Sequence, residues 1–404
     1  MNFEINNNIV RGNIASDASY LNLRKNDCKI AVIGSGNAGI ISALMIIFSY
    51  RYNGLSDPHI TIFHDSKVPT EIVGQGTTIN VSHAISRLIS DEHLGNLAGI
   101  TPKVGFLYKD WAKKNKNLLY KLGGNAMSYH YDPAKLRECF LKTNLTKLVE
   151  KSVTPEEIKN DFDFIIDCRG KTVNNWEEYE EMVSPVNCCL IARTFGPRPP
   201  EVWTENIATK DGWTFKIPLE DGYSYGYVFN ENITNSEVAE SNFYEMFGVE
   251  TLHKVPFRNY LSKKYFDEEN KTLLNGNRLF FYDPLESSAT PMYGTLITDF
   301  FFNALSLKKN KIHQTLDNYD TKVREVHQWI LWHYSYGSHY NTEFWRYAQD
   351  LAENYNYSKS FRNLVDTVKM CDWERFIGQH TFPNTMIYEF DFNDYAFWYF
   401  NNVG

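Results

Sequence analysis

Three glycines, Gly34, Gly36 and Gly39, stand at G-x-G-x-x-G spacing in "KIAVIGSGNAGIISALMII". The chemistry this spacing serves is pyrophosphate binding. One glycine makes a tight turn, one lets backbone approach phosphate oxygens, and one lets helix and strand pack closely. A helix beginning there offers unpaired N–H groups and the positive end of its dipole. Asn37 and Ala38, between the glycines, belong to the same candidate site. A second chemical candidate is Lys103, which opens the apolar run "PKVGFLYKDW". As one strand, this run places Lys103, Gly105, Leu107 and Lys109 on one face and Val104, Phe106 and Tyr108 on the other. Taken alone, a lysine at a strand start is a solvated charge.

The elements that must position these groups follow from the apolar pattern. Lys29–Ile33 reads as a buried strand and the residues from Ile40 as a buried helix. "HITIFHDS" is a second strand, whose end presents Asp65 to ribose hydroxyls, or His64 if the register slips by one. "DFDFIIDCRG" is a later strand that brings Asp167 and the turn after it beside a cofactor if it joins the same sheet. A βαβ opening with a late returning strand favours FAD over NAD.

Composition excludes several classes. Formal charge is −8 with no basic block, which argues against nucleic acid. The longest apolar run, "IISALMIIF", is too short to span a bilayer. Six cysteines without C-x-x-C pairs, and an N-terminus without an apolar core, suggest a soluble protein of a reducing interior, cytoplasmic (host cytoplasm if viral). His327, His333 and His339 fall six apart, off a common helix face, and read as packing or surface residues, so no metal is expected. Residues 1–27 read as a polar extension and 28–404 as one unit.

Several segments, in order along nearly the whole chain, resemble the flavin-dependent halogenases of the tryptophan-halogenase type. "VGQGTT" (Gly74, Gln75, Gly76, Thr77) resembles the family's second glycine motif. "SYHYDPAKLRECFL" and "DFDFIIDCRG" resemble its flavin-side segments, and "GWTFKIPL" resembles W-x-W-x-I-P, with Phe215 for the second Trp. "FFYDPLESSATPM" resembles the P-L-E-S-T-G loop, with Ala289 where the family has Gly. "HYNTEFWRYA" resembles D-T-x-F-W-R, and "YAFWYFNNVG" the family's usual C-terminal end. The Asn-, Lys- and Tyr-rich sequence has the look of a viral or AT-rich genome, which would suit a phage-encoded member.

The resemblance implies an α/β fold: a Rossmann-like FAD domain of the monooxygenase/halogenase type, an interleaved mixed-sheet substrate region and a helical C-terminal part. Flavin-side segments would be about 28–111, 128–175 and 276–310, and substrate-side segments about 176–275 and 311–404. FAD, arriving as FADH2 from a separate flavin reductase, would be held by Gly34, Gly36, Asn37, Ala38, Gly39, Asp65, Gly74, Gln75, Gly76, Thr77, Asp167 and Pro284. With O2 and a halide co-substrate it would give a hypohalous acid. Trp213, Phe215, Ile217 and Pro218 would wall flavin from substrate. Lys103, eight residues before Trp111 as in the family's pattern, would carry the electrophilic halogen, with Lys109 the runner-up. Glu286 would orient that electrophile and take the ring proton, and Ser287, Ser288 and Ala289 would hold the halide. Chloride, bromide and iodide stay open, as does the oligomeric state. The brief Lys113–Tyr129 segment implies a shortened lid and small electron-rich aromatics other than free tryptophan. A flavin monooxygenase and a non-catalytic FAD-binding auxiliary protein are the rival readings.

Overall fold

The structure, a computed structural model, describes residues 21–68, 72–89, 98–112, 117–122, 128–170, 175–305, 312–370, 386–387 and 390–403. Most of the Lys113–Tyr129 segment lies outside them.

Strand β1 (Lys29–Ile33) is buried on both faces, as a central parallel strand must be. It pairs in parallel with β2 (His59–His64) and β9 (Phe164–Asp167). Strands β8 (Lys147–Glu150), β17 (Phe266–Asp267) and β18 (Thr272–Leu274) complete a six-stranded sheet of order β17-β18-β9-β1-β2-β8. The late strand therefore does return beside the first. Helix α1 (Asn37–Tyr52) is apolar nearly all round and correspondingly buried. A Cβ on Gly39 would sit 2.0 Å from the Gly34 carbonyl oxygen, so the strand-to-helix turn closes only with glycine there. Helices α3 (Pro133–Lys142) and the one-turn α4 (Pro155–Ile158) flank this sheet's connections, and α2 (Ile79–Leu88) packs on α1.

A seven-stranded sheet runs β15-β11-β14-β13-β12-β5-β6. Its strands are β5 (Gly105–Lys109), β6 (Asn117–Lys121), β11 (Cys188–Phe195), β12 (Trp203–Ala208), β13 (Gly212–Leu219), β14 (Gly222–Phe229) and β15 (His253–Pro256). Alternation along β13 sends Trp213, Phe215, Ile217 and Leu219 into the main core. Tyr225, Tyr227 and Phe229 of β14 enter a smaller core under α5 (Ser236–Phe247). Two three-stranded sheets join these bodies. One holds β3 (Gln75–Gly76), β7 (Ser128–Tyr131) and β4 (Thr101–Lys103). The other holds β10 (Tyr179–Glu181), β16 (Tyr260–Ser262) and β19 (Phe280–Phe281).

The C-terminal part is helical: α6 (Ala289–Ala304), α7 (Ile312–His333), α8 (Glu343–Glu353), α9 (Lys359–Lys369) and α10 (Phe392–Val403). Trp398 and Tyr395 of α10 pack their rings on Trp329, Trp332 and His333 of α7. Among the described residues, no helix is long and apolar enough to cross a membrane.

The run 102–111 corrects the expectation of one strand. It breaks at Val104, whose N–H donates to the Val202 carbonyl, and its halves enter different sheets. Period-two alternation across the break therefore fails, and Lys103, 1% exposed, belongs to β4 instead of sharing a face with Lys109. Lys109 is an ordinary ion-paired charge, 2.8 Å from Glu205.

Candidate active site

Two stations emerge. The first is a cleft of about 330 Å³ at the C-terminal ends of β1, β2 and β9, lined by Gly34, Gly36, Asn37, Ala38, Asp65 and Arg169 among others. Open parallel sheets bind ligands at this place. Gly34 adopts φ +106, and among the described residues nothing lies within 4 Å of the position a Cβ on Gly36 would take. That empty position beside the first turn of α1, whose N–H groups have no intrahelical acceptor, suits phosphate oxygens. Arg137 of α3 donates from Nε to Ser35 Oγ at 3.1 Å, bringing a cation to the same turn. The residues present thus fit a dinucleotide such as FAD.

Some expected cofactor ligands are engaged elsewhere. The Asn37 side chain is buried; its Oδ1 accepts from the Tyr131 hydroxyl at 2.6 Å and its amide donates to Thr290 Oγ1 at 2.9 Å. Thr290 in turn donates to Gln75 Oε1 at 3.1 Å. One chain of hydrogen bonds thereby ties both glycine motifs to the first turn of α6. Asp167 is held by Arg169 Nε and Nη2, each at 2.9 Å, with Arg278 at 3.3 Å, so its carboxylate is spent on ion pairs. Asp65 lines the cleft and accepts from the Lys67 backbone N–H.

The second station gathers Gly76, Lys103, Glu286 and Ser287. A Cβ on Gly76 would lie 2.8 Å from Lys103 Nζ and 3.2 Å from Ser287 Oγ, so amine and hydroxyl face each other across that glycine. Gly74 donates its N–H to Ser224 Oγ, and Thr77 is buried against Ser82 and Tyr129. The second glycine motif therefore shapes the lysine station, and its residues do not appear around the cleft. The ammonium of Lys103 lies 3.9 Å over the Phe106 ring, a cation–π contact that helps hold a charge in an apolar place. Burial pushes His130 well below the usual imidazole range, and the Lys103 charge adds to this, leaving His130 neutral.

Pro284 precedes a one-turn 3-10 helix, Leu285–Ser287, in which Glu286 (φ 69) and Ser287 (φ 50) both take left-handed backbone. Such strain is costly for residues with a Cβ and is concentrated at functional sites. Ala289 starts α6 with ordinary helical geometry, so the methyl that replaces the family glycine carries none of it. Ser288 is buried and its Oγ finds no partner among the described residues.

Glu286 is buried. Its Oε1 accepts from the Tyr108 hydroxyl and lies 2.9 Å from His333 Nε2, while Oε2, also buried, has no partner among the described residues. Burial, and then Glu286 itself, push Tyr108 well above the ordinary phenol range, so it remains a donor. Nearby Asp283 accepts from Tyr334, and burial pushes its carboxyl up to about 6.

The wall residues Trp213, Phe215, Ile217 and Pro218 lie together on β13. A Cβ on Gly226 would fall 2.0 Å from Phe215 Cζ, so the phenyl ring occupies the space that a side chain on the glycine opposite would need. Pro218 falls beyond the last β12 partner, Glu205 opposite Lys216, where its missing N–H costs no ladder bond on that side. Trp213 meets Trp111, which meets Tyr108, in a continuous aromatic line from wall to Glu286.

Sequence reasoning missed His333, Tyr108, Phe106 and Arg137. Reading the histidines for mutual spacing could not reveal one that faces an acid 47 residues earlier. Tyr108 and Phe106 already stood in the run around Lys103; only the assumption of one continuous strand hid their proximity to the loop.

A family model described as tryptophan halogenase matches residues 29–153 and 142–381. The tryptophan 6-halogenase of Streptomyces albogriseolus is 22% identical over 301 residues, covering 64% of this chain and 54% of that protein. The tryptophan 7-halogenase of Kutzneria sp. (strain 744) is 25% identical over 167 residues, covering 37% of this chain and 29% of that protein. The chain thus spans about half or less of the length of these relatives. A flavin-dependent halogenase from Xanthomonas campestris superposes with a TM-score of 0.74 at 15% identity, over 94% of this chain and 89% of the other. A tryptophan halogenase from Shewanella frigidimarina gives 0.71 at 14% identity, over 93% and 89%. At these identities the superpositions speak for the fold, and the family model, which takes in both glycine motifs, Lys103 and Glu286, speaks for descent: the chain belongs to the tryptophan halogenase family.

Proposed function

We propose that this protein halogenates an electron-rich aromatic or heteroaromatic ring, using FADH2 delivered by a separate flavin reductase, O2 and a halide. The carrying observation is the second station: a buried lysine amine across Gly76 from Ser287, next to a strained, buried Glu286 with one oxygen unengaged.

Bound in the cleft, reduced FAD with O2 would supply an oxidised halogen. The chain's own residues do the rest. Gly34, Gly36 and Gly39 with the first turn of α1 bind phosphates, Asp65 takes ribose hydroxyls, and Arg137 offsets negative charge. Trp213, Phe215, Ile217 and Pro218 keep water and substrate from the flavin. Ser287 and Ser288, at the loop that begins α6, hold the halide, and Lys103 fixes the electrophilic halogen at one point. Glu286 Oε2 takes the ring proton. In this reading residues 28–404 are a single unit with interleaved flavin-side and substrate-side segments.

Family relatives named as tryptophan halogenases support an aromatic ring as substrate. The test is incubation with FAD, NADH, a flavin reductase, each halide and a panel of indoles and phenols. Wild type should give halogenated product, and Lys103→Ala none, with a loss on the order of 10²–10⁴ in rate. Hydroxylated product, or halogenation undiminished in Lys103→Ala, would overturn the reading.

A further inference from the structure

His333 is a buried titratable group at the second station that the proposed chemistry leaves idle. Its Nδ1 lies 2.8 Å from the Trp329 carbonyl oxygen. A carbonyl only accepts, so Nδ1 carries a proton. Nε2 lies 2.9 Å from Glu286 Oε1, with both side chains almost wholly buried. Two lone pairs do not approach to that distance without a proton between them, so imidazole and carboxyl hold one in common. Oε1 also accepts from Tyr108, leaving Oε2 as the oxygen open to an incoming group.

We propose that His333 is the positioning residue through which Glu286 disposes of the ring proton; this rests on the halogenation reading above. When the electrophilic halogen bonds to a ring carbon, its former partner leaves with the bonding pair. The same carbon then loses its proton to Oε2, and the C–H electron pair restores the aromatic ring. The proton shared at Oε1 settles on Nε2. The positive charge of the ring intermediate thereby ends on the imidazole, and a neutral carboxyl remains beside it.

The surroundings suit that charge. Trp329 and Trp398 rings lie 4.4 and 4.3 Å from the imidazole centroid, and aromatic faces stabilise cations. The titratable groups packed about it are Glu286 and Asp283 from the loop, Tyr108 from β5 and Tyr334 after α7, with Asp394 of α10 acting on Tyr108.

The decisive variant is His333→Gln, which keeps an N–H toward Oε1 and cannot take up a proton. The probe is indole, ordinary and ring-deuterated, with bromide, FAD, NADH and a flavin reductase. Wild type should brominate both at equal rates. His333→Gln should be slower on the order of 10²-fold and should now discriminate against deuterium, because proton loss has become limiting. A merely structural role slows both substrates alike, so an unchanged isotope ratio overturns the proposal. A second measurement needs no activity. Proton NMR of the wild type should show a far-downfield imidazole resonance, lost in His333→Gln and in Glu286→Gln. Its absence from wild type overturns the shared proton. Wild type that halogenates no indole with any halide refutes the functional reading, and the relay with it, whereas a productive wild type with an unchanged isotope ratio in the variant refutes the relay alone.

Discussion

Gly76→Ala is the sharpest probe of the second station, because the glycine is there for space and not for conformation. Gly76 lies in an extended strand pair with His130, and its φ is not in the left-handed region, so alanine can adopt its backbone without strain. The added Cβ would lie 2.8 Å from Lys103 Nζ, where ordinary contacts begin near 3.4 Å, so the amine must retreat by at least the difference. Ser287 at 3.2 Å must yield a few tenths of an ångström in the same direction of disturbance. The end of a lysine chain moves easily, so the fold absorbs the methyl. Crowding costs about 1–3 kcal/mol at most, partly offset by about 0.4–1 kcal/mol from a stiffer unfolded chain. Misplacing a reacting group by about 1 Å costs on the order of 10²-fold in rate. The expected outcome is a protein that binds FAD like wild type, by flavin fluorescence quenching, and melts within a few degrees of it. Its halogenation rate should fall on the order of 10²-fold. A fully active Gly76→Ala enzyme would show that the amine's position across Gly76 is not what the reaction uses.

Two further outcomes test other parts of the site. Gly36→Val puts a side chain where no atom lies within 4 Å, at the mouth of the first cleft; FAD affinity should fall at least tenfold, or about 1.4 kcal/mol, with the melting temperature unchanged. Burial raises Asp283 from 3.8 to about 6, so its native form keeps a proton that the unfolded chain has lost. The stability this represents is full below 3.8 and is lost as pH rises through about 6, amounting to about 3 kcal/mol. Urea unfolding of Asp283→Asn against wild type, at about pH 4 and about pH 8, should therefore show the variant gaining on wild type at the higher pH by about 2 kcal/mol. A difference flat with pH would refute the shift.

What the sequence made legible follows the range of the interactions concerned. The glycine turn, its strand and its helix are set by neighbours a few residues apart, and Gly34, Gly36 and Gly39 stand where that pattern requires. The return of β9 beside β1 was legible too, since both strands are buried on two faces and must lie inside a sheet. The break at Val104 was not, because the acceptor that ends β4 is the carbonyl of Val202, and no local pattern points to it. Once the run is split, Lys103 turns toward Ser287 while Phe106 and Tyr108 carry the aromatic line to Glu286; the break itself is made by non-local bonds, the Val104 N–H to the Val202 carbonyl and the Leu122 N–H to the Val104 carbonyl. The same reasoning explains His333. A helix face is legible in sequence, but its opposite number, a glutamate on a left-handed turn, is fixed by the packing of α7 and α10 on β5. Burying an imidazole and a carboxyl together is favourable only when they share a proton and satisfy each other. A buried histidine at the apolar end of a helix, as in Trp329-Ile330-Leu331-Trp332-His333, is thus a reason to search for an acid on a distant loop, more than a residue to be set aside as packing.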